Sequence, residues 1–554
     1  MADQIKLALA CFQSGNLDDA LSILNKVISE PQSNALAWFL KAIIHMQQND
    51  AISAINGFEK AIEIQPNYPE AFNNLGVALE ENSQPDQASV CYKKAIKKKT
   101  DYANAYYNLA NIEKNERKFD NAIDNYLLAI KFQPNYTNAM NNLALIYQYH
   151  GNYTKSKTLF KQALESANND QEITNNLGYN YFCLHQYEKA LTIFEGILSN
   201  MPDYTPTLLN CGVLMQAMGK FGNAREYFLR ASRNPQHHTQ AMNNLAYLEL
   251  SIENFEAGWQ YYRFRPSVRN LHFQSLDKLP TYLNGKSILL YKDQGIGDEV
   301  FFARYIPALN QYGANISYYT DEKLAEIWNR SLTGIHILTK IPDLKNFDFV
   351  ISIGDLPRLL FQNGYTDIPD SIEIKPDPIA VEKIKNLLPN NGKQTIAVTW
   401  EAGVPGHNTL FKRLPPDIFG GILSSSEANI LIIQRQPKQK DLKAFEKNLG
   451  KKTFNYSFVN DNLEDMLALL SLVDDYYCVS NTNNHLRAAL NLTSQVFVPH
   501  PPEWRWLNDG VKSPWFPNSK INRQDSYGNW NQYNESRNTD CGRIKNTSKI
   551  KNKN

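Results

Sequence analysis

The sequence predicts an α-solenoid followed by an α/β region of two Rossmann-like lobes, and three observations carry that prediction. Small residues recur every 34 residues, at Ala8, Ala42, Gly76, Ala110, Ala144, Gly178, Gly212 and Ala246. A second small column keeps the step at Ala20, Ala54, Ala88, Ala122, Ser156, Ala190 and Ala224, with an aromatic column at Phe58, Tyr92, Tyr126, Phe160, Phe194 and Phe228. From about residue 285 the helical period gives way to short apolar runs alternating with helical stretches.

The 34-residue step is the tetratricopeptide (TPR) period. Two helices approach closely only where both present small side chains, and a bulky ring fills the space beside them. The repeats span residues 1–265, as seven full helix pairs and an eighth that departs from pattern. Pro66, Pro134 and Pro202 mark the ends of second helices, because proline cannot continue one. The period breaks at Gly258-Trp259, and Trp259 to Arg265 mixes aromatics with arginines, as expected of a solenoid end that docks on another domain.

Beyond the repeats, Ser287–Tyr291, Ile316–Tyr319, Ile335–Leu338 and Phe349–Ile353 read as buried parallel strands of a first lobe over 280–370. After a Pro- and Asp-rich linker near 367–378, a second lobe over 378–524 has strands at Thr395–Trp400, Asn429–Gln434, Tyr476–Ser480 and Gln495–Pro499. Residues 525–554 are rich in Asn, Ser and Lys and read as a disordered polar tail.

Composition excludes several function classes. Lys plus Arg (57) and Asp plus Glu (56) nearly cancel, so no global field gathers nucleic acid or anionic membrane. Cys11, Cys91, Cys183, Cys211, Cys478 and Cys541 show no paired spacing, which argues against a disulfide framework or a zinc site. With no stretch near the ~20 apolar residues of a spanning helix, a soluble cytoplasmic protein is expected.

The sharpest local signal is the loop Gln294-Gly295-Ile296-Gly297-Asp298, leading into a helix expected over Glu299–Leu309. Its glycines permit a tight turn and close approach of a ligand, and the helix start offers free N–H groups. Asp298 reads either as a catalytic carboxylate at the cleft mouth or as a helix N-cap. Lys412-Arg413 reads as an anion-facing pair or a solvated basic loop. Ser480-Asn481-Thr482-Asn483-Asn484-His485 reads as a phosphate-holding turn or a capping Asn-Thr turn with a helical His. The cluster Trp504, Arg505, Trp506 and Trp515 either closes a cleft rim or packs domains together, the second being the commoner use.

From Leu290 to Leu309, with Phe302-Ala303-Arg304-Tyr305 after the Gly-x-Gly-Asp turn, the chain resembles bacterial proteins joining a TPR solenoid to a glycosyltransferase domain. That domain has the GT-B fold and is related to the heptosyltransferases of glycosyltransferase family 9. Gly258-Trp259 with Arg263, Thr399-Trp400 with Gly403, Pro502 to Trp506, Ser513 to Pro517 and Arg523-Gln524 agree in order, so the resemblance covers nearly all of residues 1–524. It implies that Asp298 is the general base and that Lys412, assisted by Arg413, faces the donor phosphates without a metal. It further implies that Gly295, Gly297, Asn481, Thr482 and His485 line the donor side. The chain departs from the family where Asn481 replaces an acid and no glycine follows, and Arg435-Gln436 stand where an acidic residue is usual. A nucleotide sugar is the implied co-substrate, with no resident cofactor or metal. Asp474-Asp475 precedes a strand instead of following one, which disfavours a metal-dependent GT-A alternative.

A polar column also keeps the repeat step, at Asn74, Asn108, Asn142, Asn176, Asn210 and Asn244. On the concave face these amides either grip the backbone of a protein or peptide partner or bridge adjacent repeats. The peptide-gripping reading resembles the asparagine ladder of the O-linked N-acetylglucosamine transferase. The expected function is sugar transfer to a protein offered by the solenoid, and its rival is a TPR adaptor whose transferase-like domain has lost catalysis.

Overall fold

The computed structural model describes residues 2–30, 34–167, 169–402 and 412–530. It divides into two compact units, Met1–Asn180 and Tyr181–Asn554.

The first unit holds five helix pairs, from Ala2–Gln13 to Tyr153–Ser166, and helix Gln171–Cys183 opens the next repeat. Local chemistry sets the helix ends. Asp50 accepts from the Ser53 N–H at 3.0 Å as an N-cap, and Pro69 and Pro85 occupy first helical positions. Helices Ala51–Ile64 and Phe119–Phe132 stop two residues before Pro66 and Pro134. The small and aromatic columns are the packing surface: a Cβ on Gly76 would stand 2.4 Å from the fully buried Tyr92 ring.

The second unit continues the helix pairs from Tyr187–Asn200 to Phe255–Tyr262, the last helix being only eight residues long. Two all-parallel sheets follow. The first is β1 (Ser287–Tyr291), β2 (Asn315–Tyr319), β3 (His336–Leu338) and β4 (Phe349–Ser352), in the order β3-β2-β1-β4. The second comprises β5 (Thr395–Thr399), β6 (Asn429–Ile432), β7 (Phe454–Asn455), β8 (Asp475–Val479), β9 (Ser494–Val498) and β10 (Ser519–Arg523), in the order β10-β9-β8-β5-β6-β7. Strands β5 and β6 are buried throughout, because helices cover both faces of a parallel sheet. Strand order reverses between β1 and β4 and between β5 and β8, and in such sheets the loops at the carboxyl ends beside the reversal are where ligands bind.

One apolar core joins Trp259 and Tyr262 of the last repeat to Ile288 and Leu290 of β1 and Tyr476 and Cys478 of β8. Among the described residues no helix is long and apolar enough to cross a membrane.

Three expectations need correction. The single helix foreseen over Glu299–Leu309 is a helix Ile296–Phe302, a 3-10 turn Ala303–Tyr305 and a short helix Ile306–Asn310. Pro307 explains the break, since it offers no N–H to the turn before it. Strands β7 and β10 went unforeseen, β7 being two residues long and β10 a polar edge strand. The chain also stays ordered past 524: Asp525 Oδ1 accepts from the Asn529 N–H at 2.7 Å, and Trp530 is buried against Phe497. The rest of the expected tail, with Cys541, lies outside the described residues.

Candidate functional site

Four segments distant in sequence meet around one half-buried ion-pair chain centred on the buried Arg505. Asp298 lies in the first turn of helix Ile296–Phe302, after β1, and is not its N-cap; Gly295 fills that position. Its Oδ1 accepts from Arg505 Nη2 at 2.6 Å. Arg505 Nη1 pairs with Glu503 Oε1, and Glu503 Oε2 accepts from Ser480 Oγ at 3.0 Å and forms an ion pair with Lys412 Nζ at 3.2 Å. The Arg505 guanidinium stands 4.4 Å from the ring centres of both Phe301 and Trp504.

Burial opposes charge on Glu503, but the cations of Lys412 and Arg505 outweigh it and hold the carboxyl well below the usual range. His485 has the opposite fate. Burial, with Arg505 adding to it, pushes its imidazole well below the ordinary histidine value, so it is neutral, and its Nδ1 has no hydrogen-bond partner. Its ring meets Phe516 edge to face at 5.2 Å.

The predicted glycines act differently from expectation. A Cβ on Gly297 would come 3.1 Å from Thr482 Oγ1 and 3.4 Å from His485 Cδ2, so Gly297 admits the Thr482–His485 turn of the other sheet. The left-handed residue of the loop is Gln294, at φ 64°, and its Nε2 donates to Tyr262 Oη of the last repeat at 3.0 Å. Asn481 follows its capping alternative: Oδ1 accepts from the Asn484 N–H at 3.0 Å, and Nδ2 donates to Tyr476 Oη at 2.9 Å. Arg413 turns away from the ion-pair chain. It pairs with Asp441 at 3.3 Å and Glu401 at 3.7 Å, while Gly403, Leu410 and Phe411 lie outside the described residues.

The tryptophans take the packing alternative. Trp504 and Trp515 are buried edge to face on Trp259, with ring centres 5.6 and 5.7 Å apart. A second buried network lies one loop away, where Arg265 donates to Asp293 and Asp355, each at 2.6 Å, and to Ser352 Oγ at 2.9 Å. It ties the end of the repeats to the loops after β1 and β4. Sequence reasoning missed Glu503 and these acids; the alternation Glu503-Trp504-Arg505-Trp506 was the available signal, charge set between rings next to a strand end.

Three asparagines of the column, Asn108, Asn142 and Asn176, bridge adjacent repeats. Asn108 Nδ2 donates to Asn73 Oδ1 at 3.1 Å, and Asn176 Nδ2 to Asn141 Oδ1 at 3.2 Å. Where position 107 is tyrosine, Asn142 Nδ2 reaches Tyr107 Oη at 3.5 Å and Asn111 Oδ1 at 2.9 Å. Asn74 bonds within its own helix, to the Glu70 carbonyl at 2.9 Å, and Asn210 and Asn244 are half-buried. Among the described residues no cluster of three His, Cys, Asp or Glu could hold a metal.

Tetratricopeptide repeat models match residues 5–71, 58–88, 103–136 and 137–168, so the helix pairs are TPR repeats. Protein FlbA of Caulobacter vibrioides is 21% identical over 359 residues, 59% of this chain and 60% of FlbA; the chain thus spans less than two thirds of that relative. The crystal structure of MamA is 25% identical over 29% of this chain and 94% of MamA, with a TM-score of 0.28. A tetratricopeptide repeat protein from Parabacteroides merdae is 16% identical over 43% and 94% of the two chains, with a TM-score of 0.37.

Proposed function

We propose that this TPR protein binds a protein or peptide partner through its repeats and carries a metal-independent GT-B glycosyltransferase site that acts on it with a nucleotide-activated sugar. The supporting observation is convergence: Asp298, Lys412, Ser480, Thr482 and His485 come from loops following β1, β5 and β8 and gather where strand order reverses. In this reading Asp298 takes the acceptor's proton, Lys412 faces the departing phosphate, and Thr482 lines the donor side. The protein works in the cytoplasm.

The experiment is donor hydrolysis and transfer by the full chain across a panel of nucleotide sugars, repeated with Asp298→Asn. Loss of about 100-fold or more in turnover is expected of a general base; undiminished turnover removes that role.

Two observations favour a second reading. Asp298 is ion-paired to Arg505 at 2.6 Å and Asn481 is spent on capping, as suits a TPR scaffold without catalysis. That reading predicts no turnover with any donor.

A further inference from the structure

We propose that Arg505 is a positioning residue for the reaction: it fixes the Asp298 carboxylate through Oδ1 and leaves Oδ2 as the oxygen presented to the acceptor. The inference rests on the reading of Asp298 as the base.

Three features fix the guanidinium. Its terminal nitrogens divide between Asp298 and Glu503, and Glu503 is itself held by Lys412 and Ser480. Two aromatic faces confine it, those of Phe301 and Trp504. Its segment is seated on the last repeats, where Asn508 Nδ2 donates to the Ser251 carbonyl at 2.9 Å and Trp504 meets Trp259. A buried arginine so constrained cannot follow a moving carboxylate, so the carboxylate must adopt the orientation the arginine sets.

Gly295 completes the arrangement. A Cβ there would meet a single group within 4 Å, Asp298 Oδ2 at 4.0 Å. That separation is ordinary van der Waals contact, so among the described residues a side chain at 295 would stand beside Oδ2, where glycine places no atom.

A double-variant cycle on the full chain tests this, with Asp298→Asn, Arg505→Gln and both together. Arg505→Gln should lower kcat by about 100-fold, the scale of a misplaced catalytic group, with donor KM changed by less than ~2-fold. Added to Asp298→Asn, it should cost less than ~2-fold more, because the two act as one unit. Losses that multiply independently would overturn the proposal. Arg505→Lys, which keeps the charge without the fork, guards against a folding failure and should lose about tenfold in kcat. A readout free of substrate is carbodiimide labelling at Asp298, followed by mass spectrometry. Labelling should rise severalfold in Arg505→Gln and Arg505→Lys, and unchanged labelling overturns the proposal even for a chain with no measurable turnover. Full turnover in Asp298→Asn alongside raised labelling would instead remove the base assignment and leave the Arg505 contact standing.

Discussion

The first unit and the sheet region of the second are built on opposite principles. In Met1–Asn180 successive repeats bury small residues and a bulky apolar side chain at matching positions, and Asn108 and Asn176 join adjacent repeats. The sheet region adds unique long-range ion pairs to its apolar core: Arg265 to Asp355 spans 90 residues and Arg505 to Asp298 spans 207. Repetition spreads stability over many small terms, whereas a buried ion pair makes one residue critical, because losing either partner strands the other's charge.

The largest predicted effect falls on the second design. Arg265→Met leaves Asp293 and Asp355 buried without their cation, and should cost about 3–5 kcal/mol. Of the eight tryptophans only Trp38 lies in the first unit, so denaturant unfolding followed by tryptophan fluorescence reads the second unit selectively. An unchanged midpoint would show that the ion pairs do not hold that region.

Gly76→Val probes the repeat design. Its side chain must displace the Tyr92 ring, at a cost of about 1–3 kcal/mol. Far-UV circular dichroism should register early loss of helix while tryptophan fluorescence keeps its midpoint; a shift of both would contradict the independence of the two designs.

A third effect is pH-dependent. Because the folded His485 imidazole titrates below the unfolded one, the unfolded chain takes up the proton first as pH falls, so stability is lost below the ordinary histidine value near 6.5. The slope is about 1.4 kcal/mol per pH unit for one proton. His485→Phe should flatten that slope between about pH 6.5 and 5; a slope unchanged in the variant would assign it elsewhere. Glu503, held low by Lys412 and Arg505, contributes stability that disappears only at more acid pH.

The smallest effect is Asn108→Ala, which removes the donor that Asn73 Oδ1 accepts from and should cost about 1 kcal/mol. No change in the helix-melting midpoint would make the bridge incidental.

This contrast explains what was legible in the sequence. Gly76 and Tyr92 lie 16 residues apart and recur, so their contact prints a period. Strands such as β1 and β5 were visible because burial on both faces demands unbroken apolar runs. Asp298, Lys412, Thr482 and His485 could be singled out one by one, from loop position and residue type. What joins them could not: the alternation of charge and ring over Glu503–Trp506 marks the segment, but its partners Asp298 and Lys412 lie far away in the chain. The order of Trp530 was hidden for a similar reason: one ring docks on Phe497 from within a polar segment.

The proposal that the segments around Asp298, Lys412 and Thr482 form one site for a nucleotide-activated donor rests on their convergence through Glu503 and Arg505. Calorimetry of the full chain against a panel of nucleotide sugars tests it most directly, alongside Lys412→Ala and Thr482→Val. At least one member should bind, and each variant should weaken binding by about tenfold or more. Absence of binding across the panel, or binding untouched by both variants, would contradict it.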